Sequence, residues 1–158
     1  MKKFILLAIV AIVTTLGASA DSGDISLGAQ FAYGSKHSLA GLGAQVQIEP
    51  IQNWRFAPEF IYYFKNGGIS ALNVNMNIHY VIPTSHSFAI YPMAGFSYAN
   101  IKTDLHHGDA SVDRCGANVG LGAQYRINER LHFYTEQRFQ ILKDWNQSVT
   151  VLGLKYTF

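Results

Sequence analysis

The sequence predicts an all-β protein: eight antiparallel strands in an up-and-down barrel with a polar, filled interior, preceded by a cleavable signal peptide. Three observations carry this. Beyond residue 20, apolar and polar residues alternate at steps of two through eight segments, the period of a strand with two unlike faces. Short connectors with turn chemistry separate the segments, each brief enough to join antiparallel neighbours. The last eight residues, Val151-Leu-Gly-Leu-Lys-Tyr-Thr-Phe158, form one more such strand and finish on an aromatic.

The leader comes first. Lys2 and Lys3 precede an apolar run of about 13 residues from Phe4 to Leu16. Gly17-Ala18-Ser19-Ala20 then places small residues at 18 and 20, as signal peptidase requires. The run is shorter than the roughly 20 residues of a membrane-spanning helix. Cleavage after Ala20 leaves residues 21–158 as one barrel domain. No Cys stands at the cleavage point, so a lipoprotein signal is excluded.

The first strand, Asp24 to Tyr33, sets Ile25, Leu27, Ala29, Phe31 and Tyr33 against Ser26, Gly28, Gln30 and Ala32. The second, about Ala40 to Ile48, sets Leu42, Ala44, Val46 and Ile48 against Gly41, Gly43, Gln45 and Gln47. The third carries Trp54, Phe56, Pro58, Phe60, Tyr62 and Phe64 opposite Arg55, Ala57, Glu59, Ile61 and Tyr63. In the fourth, Leu72, Val74, Met76, Ile78 and Tyr80 alternate with Asn73, Asn75, Asn77 and His79. A helix would scatter those three Asn around its circumference, whereas a strand lines them up.

The fifth, Phe88 to about Asn100, has Phe88, Ile90, Pro92, Ala94, Phe96 and Tyr98 on its apolar face. The sixth, Arg114 to Ile127, opposes Ala117, Val119, Leu121, Ala123 and Tyr125 to Gly116, Asn118, Gly120, Gly122, Gln124 and Arg126. The seventh sets Leu131, Phe133, Phe139 and Ile141 against His132, Tyr134, Glu136, Arg138 and Gln140, with Thr135 and Gln137 interrupting its apolar face. The eighth sets Leu152, Leu154, Tyr156 and Phe158 against Gly153, Lys155 and Thr157. Gly34–Ser38, Lys65–Gly68, Pro83–Ser87, Asn128–Arg130 and Lys143–Asn146 supply turns. Ser26-Leu-Gly-Ala-Gln30, Gly41-Leu-Gly-Ala-Gln45 and Gly120-Leu-Gly-Ala-Gln124 are near copies in register with the strands. Hairpin duplication and convergence on one strand recipe both produce such a repeat.

Alternation alone fits a soluble barrel with an apolar interior as well as an inverted, membrane-spanning one. Aromatic placement separates them. Trp54, Phe56, Tyr80, Phe88, Tyr125, Phe133, Tyr156 and Phe158 fall near one set of turns, and Tyr33, Tyr62, Phe64, Tyr98 and Phe139 near the other. Two aromatic girdles around an aliphatic band mark a strand crossing two lipid–water interfaces. The barrel is therefore read as transmembrane, apolar face to lipid and polar face inward. Without Lys2 and Lys3 the 12 basic residues fall to 10, equal to the 10 acidic ones. A neutral domain without a basic patch argues against a nucleic-acid partner. Cys115 is the only cysteine, which rules out an intrachain disulfide.

On these residues the chain resembles the small eight-stranded outer-membrane barrels, the group of the outer membrane protein A transmembrane domain and outer membrane protein X. That family's C-terminal assembly signal reads polar-x-Gly-x-x-aromatic-x-aromatic. Gly153, Tyr156 and Phe158 match it, while Val151 departs at the polar position. The resemblance implies a bacterial outer-membrane location, reached by the secretory pathway. It implies lipids and lipopolysaccharide as surroundings, and assembly machinery and periplasmic chaperones as partners. A monomer is expected, without a cofactor. The family's fold is specific but its functions are several.

Eight strands enclose a lumen just wide enough for side chains to fill. The charged and imidazole inward residues Arg55, Glu59, His79, Arg126, His132, Glu136, Arg138 and Lys155 are expected to form a hydrogen-bonded network, because an unpaired buried charge is costly. Hairpin geometry sets Gly120 and Gly122 against Arg138 and Glu136, Gly43 against Ile61, and Glu136 level with Lys155. The connector Lys102–Asp113 is read as a solvated loop. Its Asp104, His106, His107, Asp109 and Asp113 are residue types that ligate metals, but no second-shell pattern accompanies them. No catalytic, cofactor-binding or metal residue is expected. A lipid A deacylase would need a His-x-Ser pair on the membrane face. His132 and Glu136 share the inward face without a Ser or Cys nucleophile beside them. The sequence thus favours a non-enzymatic barrel with a structural or envelope-integrity role and no open pore. The alternatives are a surface adhesion or binding protein acting through outer loops and, third, a small lipid-modifying enzyme. Short connectors, and a chain ending with the barrel, favour the first.

Overall fold

The computed structural model describes residues 25–105 and 108–158, with the side chains of 104–109 outside that description. The leader over residues 1–20 lies outside the described residues. Eight long strands follow one another: β1 (Ile25–Gly34), β2 (Leu39–Ile51), β3 (Trp54–Asn66), β4 (Ile69–Tyr80), β5 (Phe88–Leu105), β6 (Gly108–Arg126), β7 (Leu131–Leu142) and β8 (Gln147–Thr157). Each pairs antiparallel with the next, and β1 also pairs with β8, so the sheet closes on itself. Closure leaves most backbone donors and acceptors paired without a helix. No helix among the described residues is long and apolar enough to cross a membrane.

The turns follow their local chemistry. Asn66 pairs with Ile69 across Gly67 and Gly68, whose φ values are +58° and +83°. Two successive positive φ angles give the tight turn whose twist suits a hairpin, and glycine adopts them without steric cost. β2 runs past its expected end near Ile48 to Ile51, with a register irregularity between Ile48 and Ile51. Pro50 lies in that interval and has no N–H to give a ladder.

One expectation is overturned here. Lys102–Asp113 is not a loop. Backbone pairing of β5 with β6 continues through Lys102↔Ser111 and Thr103↔Ala110 to Asp104↔Asp109 and Leu105↔Gly108. The Tyr98 hydroxyl donates to Asp113 at 2.8 Å, and the Asn100 amide donates to Ser111 at 2.9 Å and Asp113 at 2.6 Å. Polar composition suggested a loop, but Ile101, Thr103 and Val112 are β-branched and suit a strand. The β7 pairing of β6 begins only at Gly116↔Leu142, so the hairpin runs on beyond β7.

The closed sheet has two unlike surfaces. Outside, Trp54, Phe56, Tyr80, Phe88, Tyr125, Phe133, Tyr156 and Phe158 are exposed around the end holding Ile25 and Phe158, here the terminal end. Tyr33, Tyr62, Phe64 and Phe139 are exposed around the opposite, loop end, with Met76, Leu121, Leu152 and Leu154 between the rings. Inside, burial strictly alternates along β7 and β8. The inward series on β7 is His132, Tyr134, Glu136, Arg138, Gln140 and Leu142.

Candidate functional site

Among the described residues, the lumen is where charged side chains are gathered and shielded. Its centre is Arg138 on β7, fully buried and ion-paired to both Glu59 on β3 and Glu136 on β7, the latter at 3.5 Å. Removing a guanidinium from water is expensive unless carboxylates offset it. Here two carboxylates do, and each is itself held by hydrogen bonds. Glu59 accepts from the Gln30 amide at 2.7 Å and the Asn75 amide at 2.7 Å. Glu136 accepts from the Tyr91 hydroxyl at 3.0 Å, and the Tyr134 hydroxyl donates to the Gln30 carbonyl oxygen at 2.7 Å. The aligned Asn face of β4 extends the web. Asn118 donates to Asn77 at 2.8 Å, and Gln140 donates to Asn75 at 3.3 Å and to Ser97 at 3.2 Å.

Glycines make room for this filling. Gly122 faces Glu136 and Gly120 faces Arg138 across the β6–β7 ladder. A Cβ at Gly122 would run into the Tyr91 ring, and one at Gly153 into the Tyr134 ring. Gly153 thus has a packing task in addition to its place in the C-terminal signal. Gly43 faces Ile61.

Toward the loop end the lumen becomes apolar. Ala32, Leu39, Ile61, Tyr63, Ala71, Ala99, Ile101, Leu142, Val149 and Val151 form one buried cluster with Trp145 and Tyr134. Val151, the departure from the polar position of the signal, is a wall of this plug. Trp145 belongs to the Lys143–Asn146 turn, yet it is only 8% exposed. Its ring stacks on His37 with centroids 5.1 Å apart, and Lys36 Nζ lies 5.0 Å from its centroid. Lys36 Nζ also donates to the Asp144 carbonyl at 2.7 Å, and Asn66 donates to the His37 carbonyl at 3.0 Å. Three turns are tied over the plug in this way.

Toward the terminal end the lumen widens and stays charged. Arg55 pairs with Glu49 and donates to Gln124 at 3.0 Å. Glu49 continues the inward series Gln45, Gln47 and Glu49 on β2; ending that strand at Ile48 hid it. Lys155 Nζ donates to Gln47 at 2.6 Å and Gln124 at 2.9 Å. His79 is fully buried and stacks on Tyr91 at 4.7 Å. His132 lies nearer the mouth.

Two expectations for this region need correction. Arg126 is exposed at the mouth, since it is the last residue of β6 and its side chain reaches solvent. It does not join the central ion cluster. Glu136 is not level with Lys155: Glu136 pairs with Val151, and Lys155 pairs with His132. The turn is centred tightly between Lys143 and Asp144, with Trp145 N donating to the Leu142 carbonyl at 3.0 Å and Asp144 at φ +59°. That moves Lys155 two rungs along the same face, away from Glu136.

Tyr156 and Phe158 point outward, with ring centroids 5.2 Å apart in an edge-to-face pair. Arg130 donates to the Tyr156 hydroxyl at 3.1 Å. Asp113 is exposed. The other acidic and imidazole residues of 104–109 lie outside the described side chains. Among the described residues no cluster of three metal-ligating side chains occurs.

Comparison with known proteins adds to this picture. The model of the family described as "Outer membrane protein beta-barrel domain" matches residues 6–158. Among solved structures, the N-terminal β-barrel domain of Pseudomonas aeruginosa OprF superimposes with a TM-score of 0.73 at 16% identity, covering 87% of this chain and 100% of that one. Neisserial surface protein A gives 0.66 at 18% identity, covering 86% and 97%. Ail, the attachment invasion locus protein of Yersinia pestis, gives 0.61 at 16% identity, covering 86% and 97%. No curated protein sequence matches the chain.

Proposed function

Because the chain belongs to the outer membrane protein β-barrel domain family, we propose that it serves the cell envelope as a plugged, structural barrel and not as a pore. Its location is the bacterial outer membrane, where lipid surrounds the barrel. The observation that supports a structural role is the filling of the lumen. Arg138, Tyr63, Tyr91 and Tyr134 are all below 2% exposed; Tyr63 and Tyr134 belong to the loop-end plug, and Arg138 and Tyr91 fill the lumen below it. In this reading a signal peptide over residues 1–20 is removed, and chaperones and assembly machinery deliver residues 21–158 to the membrane. The loop end faces outward, the terminal end faces the periplasm, and the barrel is a monomer without catalytic activity.

Reconstitution in planar bilayers tests the plug. The expected result is at most rare, small current steps; stable conductance on the nanosiemens scale would contradict it. A deletion strain tests the role. Raised sensitivity to detergent with unchanged adhesion supports an envelope function, and the reverse result supports a second reading. That second reading is surface binding, and the β5–β6 hairpin favours it, because it gives the loop end an extended, exposed element.

A further inference from the structure

The plug and ion cluster leave the terminal end of the lumen unfilled. A cavity of about 610 Å³ opens there, within the roughly 300–1,000 Å³ typical of small-molecule sites. Its wall carries basic side chains in an ordered arc. Arg126 on β6 pairs with His132 on β7, and His132 pairs with Lys155 on β8. The three therefore occupy one rung on three successive strands. The next position of that rung is Gly28 on β1, which places no side chain beside Lys155. Arg55 lines the cavity from β3, and its reach to Gln124 on β6 spans the lumen. His86 lines it from the turn before β5.

Lys155 is the residue that demands an explanation. It is 2% exposed, and its ammonium donates to two neutral amide oxygens, those of Gln47 and Gln124. An ammonium has three donors. Among the described residues no carboxylate pairs with it. The nearest candidates are engaged or distant in the fold: Glu49 is held by Arg55, and Glu59 and Glu136 are held by Arg138. Glu129 in the β6–β7 turn also lines the cavity and is exposed to solvent. A shielded amine with no carboxylate in ion-pair contact, beside a water-accessible cavity, favours an anion from outside.

We propose that this chamber is a binding site for a phosphate monoester, with the phosphoryl group held by Lys155, His132 and Arg126. Donors along an arc, with Arg55 across from them, suit a tetrahedral oxyanion with several acceptor oxygens. The cavity holds more than inorganic phosphate alone, which leaves space for the esterified group. Such a group reaches the chamber from two sources, a water-soluble ester or the headgroup of an anionic phospholipid at the rim.

The test uses the folded barrel in an uncharged maltoside detergent, with glycerol 3-phosphate, inorganic phosphate and glycerol as calorimetric probes. Glycerol 3-phosphate is expected to bind one saturable site, inorganic phosphate to compete, and glycerol to give no signal. Lys155→Gln and Arg126→Gln should each weaken binding by roughly ten- to a hundredfold, the loss of one charge-assisted hydrogen bond. Glu129→Gln should strengthen it, and Lys36→Gln at the loop end should leave it unchanged. If Lys155→Gln fails to give the heat-modifiable folded band, Arg126→Gln and His132→Gln at the mouth carry the comparison. In a second arm, native mass spectrometry asks whether the wild type retains phosphatidic acid that Arg126→Gln loses. Retention there without binding of the soluble ester identifies the lipid as the source. Absence of both, or binding indifferent to Arg126 and His132, overturns the proposal.

Discussion

The two ends of the lumen are built by the same eight strands and have opposite character. At the loop end, Leu39, Ile61, Leu142, Val149 and Val151 close a dry plug, and Trp145 folds in over it. At the terminal end, Arg55, Lys155, His132 and Arg126 surround an open chamber. Between them Arg138 sits with two carboxylates. The dry end gains stability from excluded water and packing. The charged end keeps polar groups solvated at the mouth and ties deeper ones to amides. One end is arranged to stay shut, the other to stay accessible.

The largest effect should come from the boundary between them. Arg138→Met leaves Glu59 and Glu136 buried without their cation, which should cost about 3–5 kcal/mol. Urea unfolding in lipid vesicles measures this. Adding Glu59→Gln and Glu136→Gln to Arg138→Met should recover most of the loss. A single variant within about 1 kcal/mol of wild type would break the assignment of Arg138 as the centre of the network.

The next effect contrasts the ends directly. Ile61→Ala in the plug should cost about 2–5 kcal/mol, the range for emptying a packed site. Arg126→Ala at the mouth should stay within about 0.5 kcal/mol, as for an exposed residue without a close partner. Comparable costs in the same unfolding assay would erase the distinction between a packed end and an open one.

The two tryptophans report on the ends without changing stability much. Trp54 is 50% exposed on the outer surface and Trp145 is 8% exposed over the plug. In a Trp145→Phe variant, the fluorescence of Trp54 should be quenched by brominated lipid. In a Trp54→Phe variant, Trp145 should resist both brominated lipid and aqueous acrylamide. Strong acrylamide quenching of Trp145 would mean that the turns do not cover the lumen.

The smallest effect on stability is expected at Phe158. Complete burial of such a side chain contributes about 1.5–3 kcal/mol, and Phe158 is 74% exposed. Its deletion should therefore leave a barrel that folds in detergent. Assembly in cells should suffer more, as the match of Gly153, Tyr156 and Phe158 to the terminal signal implies. Phe31→Ala, at another exposed aromatic, should assemble normally. Equal yields of heat-modifiable barrel in outer-membrane fractions would make the terminal match incidental.

Much of this was legible in the residues. Period-two alternation identified the inward face of every strand, even on β7, where Thr135 and Gln137 interrupt the outward face and are hydrogen-bonded within the sheet. The pairings Gly120↔Arg138, Gly122↔Glu136 and Gly43↔Ile61 follow from short turns, because register propagates from the turn along the whole ladder. The same rule explains the failure at Lys155. A turn placed two residues too far along displaces every pairing beyond it. The Lys102–Asp113 hairpin was missed because polar composition argues for solvent and is silent about backbone pairing.

The sequence by itself determined the alternation, the turns and the two aromatic girdles, because each depends on neighbours within a few residues along the chain. It also placed Ile61 and Tyr63 on the inward face. What they do there was decided only by closure. Plug residues come from seven different strands and one turn, and the partners of Arg138 lie on β3 and β7. Which inward residues meet depends on the relative stagger of all eight strands. That stagger sums every turn and bulge around the ring, so small local shifts decide whether a charge meets a carboxylate, an amide or open water.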